Sequence, residues 1–349
     1  MGVLNLFNFL LEVKAPKGLW ASIINWLEGG IGNYAVVIIV LTIMIKLVML
    51  PFDLLNKSLN SRNSAKQAAM KPELDKINKR YANNKQLLNQ KTMELYKREH
   101  FNLYGTCAGM IVYLILTFVI FMTLFGALRT MSSYKIQEEF KQLQTTYTTV
   151  YDQASSSFAG EEADKDAYCT DVAEKAVVKK YGEIKTGFLW IKSIWRADNW
   201  SSVVLDYNSY ISQTKTDKET LSKADYDKIM TPIHKEYNGW NGYLILAVLT
   251  VGAQIGTTYL NRLVSRLRLK KKGIPYVKGV SDPSQSLNII MPLIMGVFTL
   301  FYTASFGIYI LAGALFTMIT TPLTTFIIDS INDKKEAKNN NNNKVSYSR

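Results

Sequence analysis

Long uncharged runs alternate with strongly charged segments along the 349-residue chain. Such alternation is typical of a polytopic membrane protein, because a helix needs about 20 apolar residues to cross a bilayer. The pattern predicts spans at 34–51, at about 110–128 and at about 242–260. Residues 287–328 carry no charge over 42 positions, so this stretch is expected to fold back as two helices with a turn at 303–305. The predicted fold is therefore all-α with five transmembrane helices.

The spans divide the chain into nine predicted segments. They are an N-terminal extracytoplasmic or interfacial segment (1–32), transmembrane helix 1 (33–53), a cytoplasmic helical hairpin (54–103), transmembrane helix 2 (104–130), an extracytoplasmic loop (131–238), transmembrane helix 3 (239–262), a basic cytoplasmic loop (263–286), transmembrane helices 4 and 5 (287–328) and a disordered cytoplasmic tail (329–349). In the hairpin, Asn-rich residues 81–84 predict the turn, and Pro72 is expected at the first position of a helical turn.

Charge sets the predicted orientation. Segment 54–103 carries eleven Lys and Arg against four acids, and segment 261–286 carries seven against one. The long loop 131–238 carries fourteen against seventeen. Because basic flanks stay in the cytoplasm, we predict a multi-pass membrane protein with an outside N-terminus and a cytoplasmic C-terminus. The net charge of +13 is thus first a topology signal, and RNA binding is the weaker interpretation.

Lys46 is the residue that most strongly suggests function, because it lies inside the first apolar run. A charge at mid-bilayer costs about 2.5–3.5 kcal/mol or more, so an intramembrane cation is a functional-site hypothesis. The alternative is snorkelling, because Lys46 lies only about 8 Å from the predicted helix break at Pro51. Asp53 is a candidate partner for the ammonium. With two histidines and two cysteines, the chain has little material for a metal site or a disulfide framework.

Polar residues recur at helical spacing within the predicted spans. Such residues usually bond across helices or to their own backbone, worth about 0.6 kcal/mol each. Together with the lone cation they predict a hydrated groove between helices. The candidate groove residues are Thr42, Lys46, Tyr113, Thr117, Gln254, Thr257 and Thr321.

Four segments, in this order, resemble the YidC family of membrane protein insertases, within the Oxa-type superfamily. They are GNYAVVIIVLTIMIKLVMLPF (32–52), MKPELDKINKRYANNKQLLNQKTMELYKREHFNLYG (70–105), LILAVLTVGAQIGT (244–257) and IMPLIMGVFTLFYTASFGIYILAGALFT (290–317). The resemblance implies five core helices around a hydrophilic groove that is open to cytoplasm and lipid. The family's groove arginine corresponds to Lys46, and a polar groove residue of the third span corresponds to Gln254.

The resemblance also implies the function: insertion and folding of nascent membrane proteins without nucleotide hydrolysis. It also implies a place in the bacterial plasma membrane. The expected partners are nascent membrane proteins, the ribosome, the general secretion channel and the lipid bilayer. The protein is expected to act as a monomer, to need no cofactor and not to be an enzyme. Three positions depart from the family pattern: lysine replaces arginine at 46, Ile310 replaces an aromatic residue, and Ala314 replaces an asparagine. The 131–238 loop is also longer than the family leads us to expect.

Two other functions remain open from the residues alone. An ion- or solute-coupled transporter would show repeats and intramembrane acids, and neither is evident in the predicted spans. A chaperone that binds membrane proteins after their insertion is the other. A membrane enzyme comes last, because no catalytic constellation lies near the end of a span.

Overall fold

The computed structural model describes an all-helical chain. It covers residues 14–99, 101, 103–198, 200, 202–237, 239–271, 273 and 287–346, with side chains except at 60–65, 67–68, 103–110, 287–289, 291 and 332–346. Apart from two isolated bridges, these residues form helices and loops. The helices are α1 (Leu19–Ile31), α2 (Tyr34–Arg80), α3 (Lys85–Arg98), α4 (Leu103–Ser157), α5 (Glu162–Ile184), α6 (Tyr207–Thr214), α7 (Lys223–Glu236), α8 (Ile245–Lys271), α9 (Leu287–Phe301) and α10 (Ala304–Ser346).

Three helical stretches are long and apolar enough to cross a bilayer. They are Tyr34–Leu59 in α2, Ile111–Ser157 in α4 and Ala304–Ile331 in α10. A shorter apolar helix, Pro292–Phe301, lies in α9. The helix α8 begins at Ile245 and contains most of the predicted third span. In α4 the uncharged part ends just before Arg129. The prediction of an all-α polytopic membrane protein is confirmed.

Two prolines predicted to mark helix boundaries lie inside a helix instead. Pro51 and Pro72 both fall within α2, which continues for 47 residues. A proline removes one backbone hydrogen bond and crowds the carbonyl four residues earlier, but intact turns on both sides carry the helix past it. Asp53 therefore lies on the same continuous helix as Lys46, two residues after the predicted end of the first span at 51.

Other helices also run past their predicted ends. α4 passes the boundary predicted at residue 130 and reaches Ser157, and α10 continues to Ser346 through the tail predicted to be disordered. No Gly or Pro interrupts 127–157 or 323–346, so nothing in these sequences breaks a helix. Much of the basic loop at 263–286, and the first part of the N-terminal segment (1–13), lie outside the described residues.

The end of α2 and α3 form a helical hairpin. The turn lies at 81–84, where the side chain of Asn84 caps α3 by accepting a hydrogen bond of 3.1 Å from the Leu87 amide. The arms bury a small apolar cluster and are joined by an Arg98–Glu73 ion pair. The cluster consists of Met70, Leu95 and Phe101, with Leu74, Ile77 and Tyr96 packed against it.

The chain divides into two compact units. Unit 1 contains 1–41, 122–249 and 296–310; unit 2 contains 42–121, 250–295 and 311–349. The core of unit 1 is aromatic: the ring of Phe140 lies 5.2 Å from each of Tyr210 and Tyr226. An ion pair of 2.8 Å between Glu28 and Lys135 joins α1 to α4. The long loop is thus largely a helical unit with its own core.

Candidate functional site

Lys46 and Thr42 lie on one face of α2, in unit 2. Thr42 is 1% exposed and Lys46 is half-buried. Gly313 of α10 faces both of them: a Cβ atom built on this glycine would lie 3.4 Å from Lys46 Cε and 3.6 Å from Thr42 Cγ2. The end of the lysine stem therefore occupies space beside α10 that exists because residue 313 has no side chain.

The charges around Lys46 are partly engaged elsewhere. Asp53, seven residues further along α2, attracts the ammonium electrostatically. The hydroxyl of Tyr113 in α4 donates a hydrogen bond to Asp53 Oδ1. Lys57 Nζ donates to Thr324 Oγ1 of α10 at 2.8 Å. Among the described residues no ion pair within 4.0 Å is formed by Lys46, so the pairing with Asp53 that the sequence suggested is an interaction at longer range.

Helices α8 and α10 are joined by a small-residue contact. Thr257 Oγ1 donates within α8 at 2.8 Å and approaches the carbonyl of Ala314 at 3.3 Å. A Cβ atom on Gly256 would lie 3.8 Å from Met318. Small residues let membrane helices approach closely, so these positions are suited to helix packing. Gln254 is half-buried one turn before Thr257.

Two candidate hydroxyl groups bond within their own helices. Thr117 is exposed and donates to the Tyr113 carbonyl at 2.8 Å. Thr321 is buried and donates to the Thr317 carbonyl at 2.7 Å. These hydrogen bonds match the alternative interpretation of polar stripes, in which a hydroxyl satisfies itself on the preceding turn.

Sequence reasoning missed two features of this site. One is Gly313, whose only sequence signal is the small residue four positions later at Thr317, a spacing common in packed membrane helices. The other is the hydrogen bond between Tyr113 and Asp53, for which the sequence offers no signal because the residues are 60 positions apart.

Within the described part of the chain, no group of three or more His, Cys, Asp or Glu side chains could hold a metal ion. The groups present can attract and hydrogen-bond a polar or anionic chain.

The curated relatives are bacterial proteins named membrane protein insertase YidC. The protein from Fusobacterium nucleatum subsp. nucleatum is 40% identical over 114 residues, which are 33% of this chain and 52% of that protein. The proteins from Thioalkalivibrio sulfidiphilus and Rickettsia felis are 37% and 39% identical over 30% and 29% of this chain, and 17% of each of theirs. The chain thus spans about half of the first relative and about a sixth of the other two.

A family model covers much more of the chain than these pairwise matches. The model described as 60Kd inner membrane protein matches residues 26–333. This range contains all seven candidate groove residues and both compact units except their outermost ends. The chain belongs to the 60Kd inner membrane protein family, and the resemblance to YidC insertases seen in its sequence is confirmed.

Proposed function

We propose that this protein is a membrane protein insertase and chaperone that acts on nascent membrane proteins. The observation that carries the proposal is the position of Lys46. It is a cation in an apolar helix, its Cε lies beside Gly313, and no ion pair within 4.0 Å joins it to the described residues. Such a cation is available to an acidic group on a second chain. The relatives that share about 40% identity bear the name of this activity.

The contact of Lys46 with α10 favours a cationic recess over snorkelling. The Cε atom of Lys46 lies beside the position of Gly313, so the end of the stem is next to a neighbouring helix. Thr42 and Gly313 would then form walls of a groove that a polar segment can enter.

The proposed mechanism moves a short acidic segment of the client across the membrane without nucleotide hydrolysis. Two unit charges 4 Å apart attract by about 4 kcal/mol at an effective dielectric constant of about 20, so Lys46 lowers the cost of bringing a client carboxylate into the groove. The membrane potential adds about 2.3 kcal/mol per charge per 100 mV for acidic segments moving outward. Burial of the client's apolar helix, at about 25 cal/mol per Å², then drives its release into lipid.

The basic hairpin is the proposed cytoplasmic contact for the ribosome or an incoming chain. Segment 54–103 carries eleven Lys and Arg against four acids, and its arms pack on their own apolar cluster. The cationic surface suits a polyanionic partner. This assignment goes with an outside N-terminus, a cytoplasmic C-terminus and action as a monomer; the general secretion channel is a further proposed partner.

Reconstituted insertion tests the proposal. The full chain in proteoliposomes would be given ribosome-released clients with one span and a short outer tail, either acidic or neutral. Lys46→Met should slow insertion of the acidic-tail client about tenfold or more and leave the neutral-tail client near its wild-type rate. Lys46→Arg keeps the charge and should retain activity. Photocrosslinkers at positions 46 and 254 should label the client's polar segment.

Two outcomes would reject the proposal. One is equal insertion of the acidic-tail client by the wild type and by correctly folded Lys46→Met. The other is labelling of lipid alone from position 46 while clients insert normally. A flux of ions or solutes into liposomes without a client, abolished by Lys46→Met, would instead support the hypothesis that the protein is a transporter.

A further inference from the structure

A cavity of about 380 Å³ lies within unit 1, and neither Lys46 nor Thr42 lines it. Its walls come from the part of α4 after residue 124, from segment 196–213 and from the turn between α9 and α10. This volume falls within the range of about 300–1,000 Å³ typical of small-molecule sites. Its polar lining consists of two guanidinium groups, an amide and several hydroxyls, among them Arg129, Arg196, Gln213, Ser132, Ser212 and Thr303.

The loop that carries Arg196 is fixed by a buried amide. The side chain of Asn241 accepts from the Ser193 amide at 2.8 Å and donates to the Ser193 carbonyl at 2.8 Å and the Ala197 carbonyl at 3.0 Å. The Arg196 carbonyl itself accepts a 2.7 Å hydrogen bond from the Ala304 amide at the start of α10. The cavity wall is therefore built before any ligand arrives.

Arg196 is held in place but its charge is incompletely compensated. Its Nε donates to the Ser202 carbonyl at 3.0 Å, and its nearest carboxylate, on Asp206, is 4.0 Å away. Only 12% of the side chain is exposed, and burial lowers the pKa of the guanidinium because it disfavours the charged form. An anion in the cavity would offset that cost.

Arg129 supplies a second, accessible charge. It is exposed and makes no hydrogen bond or ion pair with the described residues. It follows directly after the uncharged stretch 111–128 of α4, so it lies where this helix leaves the apolar layer. None of the described residues that line the cavity is acidic. Two arginines without a lining carboxylate favour a phosphate, which guanidinium groups bind through paired hydrogen bonds.

Part of the cavity lining is aromatic. Phe125 lies 5.2 Å from Tyr302 and 4.9 Å from Phe306, ring centre to ring centre. Phe301, the last residue of α9, is 79% exposed. Aromatic residues at the ends of spans are typical of the membrane interface. The cavity thus offers cations to a headgroup and an apolar wall to the chains beneath it.

We propose that this cavity binds the phosphate headgroup of an anionic phospholipid. This goes beyond insertion, because it assigns a lipid site to unit 1. In the orientation proposed above, the lipid belongs to the outer leaflet. The phosphate lies between the guanidinium groups of Arg129 and Arg196, and the acyl chains pass along Phe301.

Lipid retention by the purified full chain tests this site. The protein in neutral detergent would receive phosphatidylglycerol, phosphatidylcholine of the same chain length, or inorganic phosphate, and bound lipid would be counted by native mass spectrometry. Phosphatidylglycerol should be retained in preference to phosphatidylcholine. Arg129→Gln should weaken retention about tenfold or more, because a charge-assisted hydrogen bond is lost. Arg129→Lys should keep part of the binding.

A matched control is Lys218→Gln, which removes an exposed cation of the same unit that does not line the cavity. It should retain lipid as the wild type does. Arg129 has no described partner, so its variant should melt at the wild-type temperature without lipid; Arg196→Gln serves as a second variant where it passes the same check. Equal retention by Arg129→Gln, equal retention of both lipids, or binding of inorganic phosphate alone would overturn the lipid assignment. Binding of an acidic client peptide in place of lipid would overturn it in favour of a protein ligand.

Discussion

Enlarging residue 313 should move Lys46 without touching its charge. A Cβ atom at 313 meets Lys46 Cε at 3.4 Å and Thr42 Cγ2 at 3.6 Å, both ordinary contact distances. Gly313→Ala should therefore fold normally and gain up to about 1 kcal/mol from helix propensity. Gly313→Leu adds three further carbons where the lysine stem lies, so the stem must leave. Overpacking of this kind costs about 1–3 kcal/mol.

The functional magnitude follows from distance. If the displaced ammonium moves from about 4 Å to about 8 Å from a client carboxylate, the attraction falls from about 4 to about 2 kcal/mol at a dielectric constant of about 20. Insertion of an acidic-tail client should then slow by about 30-fold, because 1.4 kcal/mol corresponds to about a factor of ten. A neutral-tail client should change little. Protease protection of the translocated tail in proteoliposomes measures both rates.

Gly252→Leu in α8 is the matched control, because a Cβ atom there meets no atom within 4 Å. It introduces the same side chain into another membrane helix and should insert both clients at the wild-type rate. A folded Gly313→Leu protein that inserts the acidic-tail client as fast as Gly313→Ala would refute the reasoning. Such a result would mean that the position of the ammonium beside α10 does not matter.

Three further predictions concern other parts of the protein. Burial raises the pKa of Glu139 from 4.5 to about 8. Between these pH values the folded protein holds a proton that the unfolded chain lacks, so the free energy of unfolding falls as the pH rises from 4.5 to 8. Glu139→Gln should remove that fall and raise the free energy of unfolding near pH 8 by about 2 kcal/mol. This is less than the full pKa shift implies, because Glu139 is partly exposed. Thermal melts of both proteins from about pH 5 to 8 measure the difference. Asn241→Ala and Asn241→Asp should both destabilise unit 1. A carboxylate at 241 cannot donate to the Ser193 and Ala197 carbonyls as the amide does. Faster hydrogen exchange of the backbone amides in unit 1 would detect the loss of stability. Tyr113→Phe removes the hydrogen bond to Asp53, so Asp53 should pair with Lys46 and slow the insertion of acidic-tail clients. In proteoliposomes, the double variant Tyr113→Phe/Asp53→Asn should insert these clients at the wild-type rate again.

Local chemistry made some turns predictable from sequence. The turn at 81–84 precedes α3 because the Asn84 side chain satisfies a free amide of the first helical turn. The turn predicted at 303–305 lies one or two residues earlier, since α9 ends at Phe301 and α10 begins at Ala304. A turn in this region was predictable from length alone, because 42 uncharged residues are about twice as many as a single span needs.

Hydropathy did not predict where helices end. It marks the place where a chain leaves lipid, whereas a helix ends where its hydrogen bonds or packing fail. α4 shows the difference: its uncharged stretch stops before Arg129, yet the helix continues to Ser157 because Ile136, Phe140 and Leu143 bury themselves in the core of unit 1. Tertiary packing of that kind cannot be seen in a window of sequence.

In the candidate groove, one feature is visible from a single residue of the sequence and another depends on two residues far apart in the chain. A cation in an apolar run is visible in the sequence because its cost depends on its surroundings along the helix, so Lys46 could be singled out. The space it occupies depends on Gly313, 267 positions later, whose contribution is a missing side chain. The charge of Lys46 is a compact ammonium at the end of a flexible stem, which fits the narrow space left by a glycine. Lys46 and Gly313 are therefore best understood as one feature, a point charge held where two helices come within contact distance of each other.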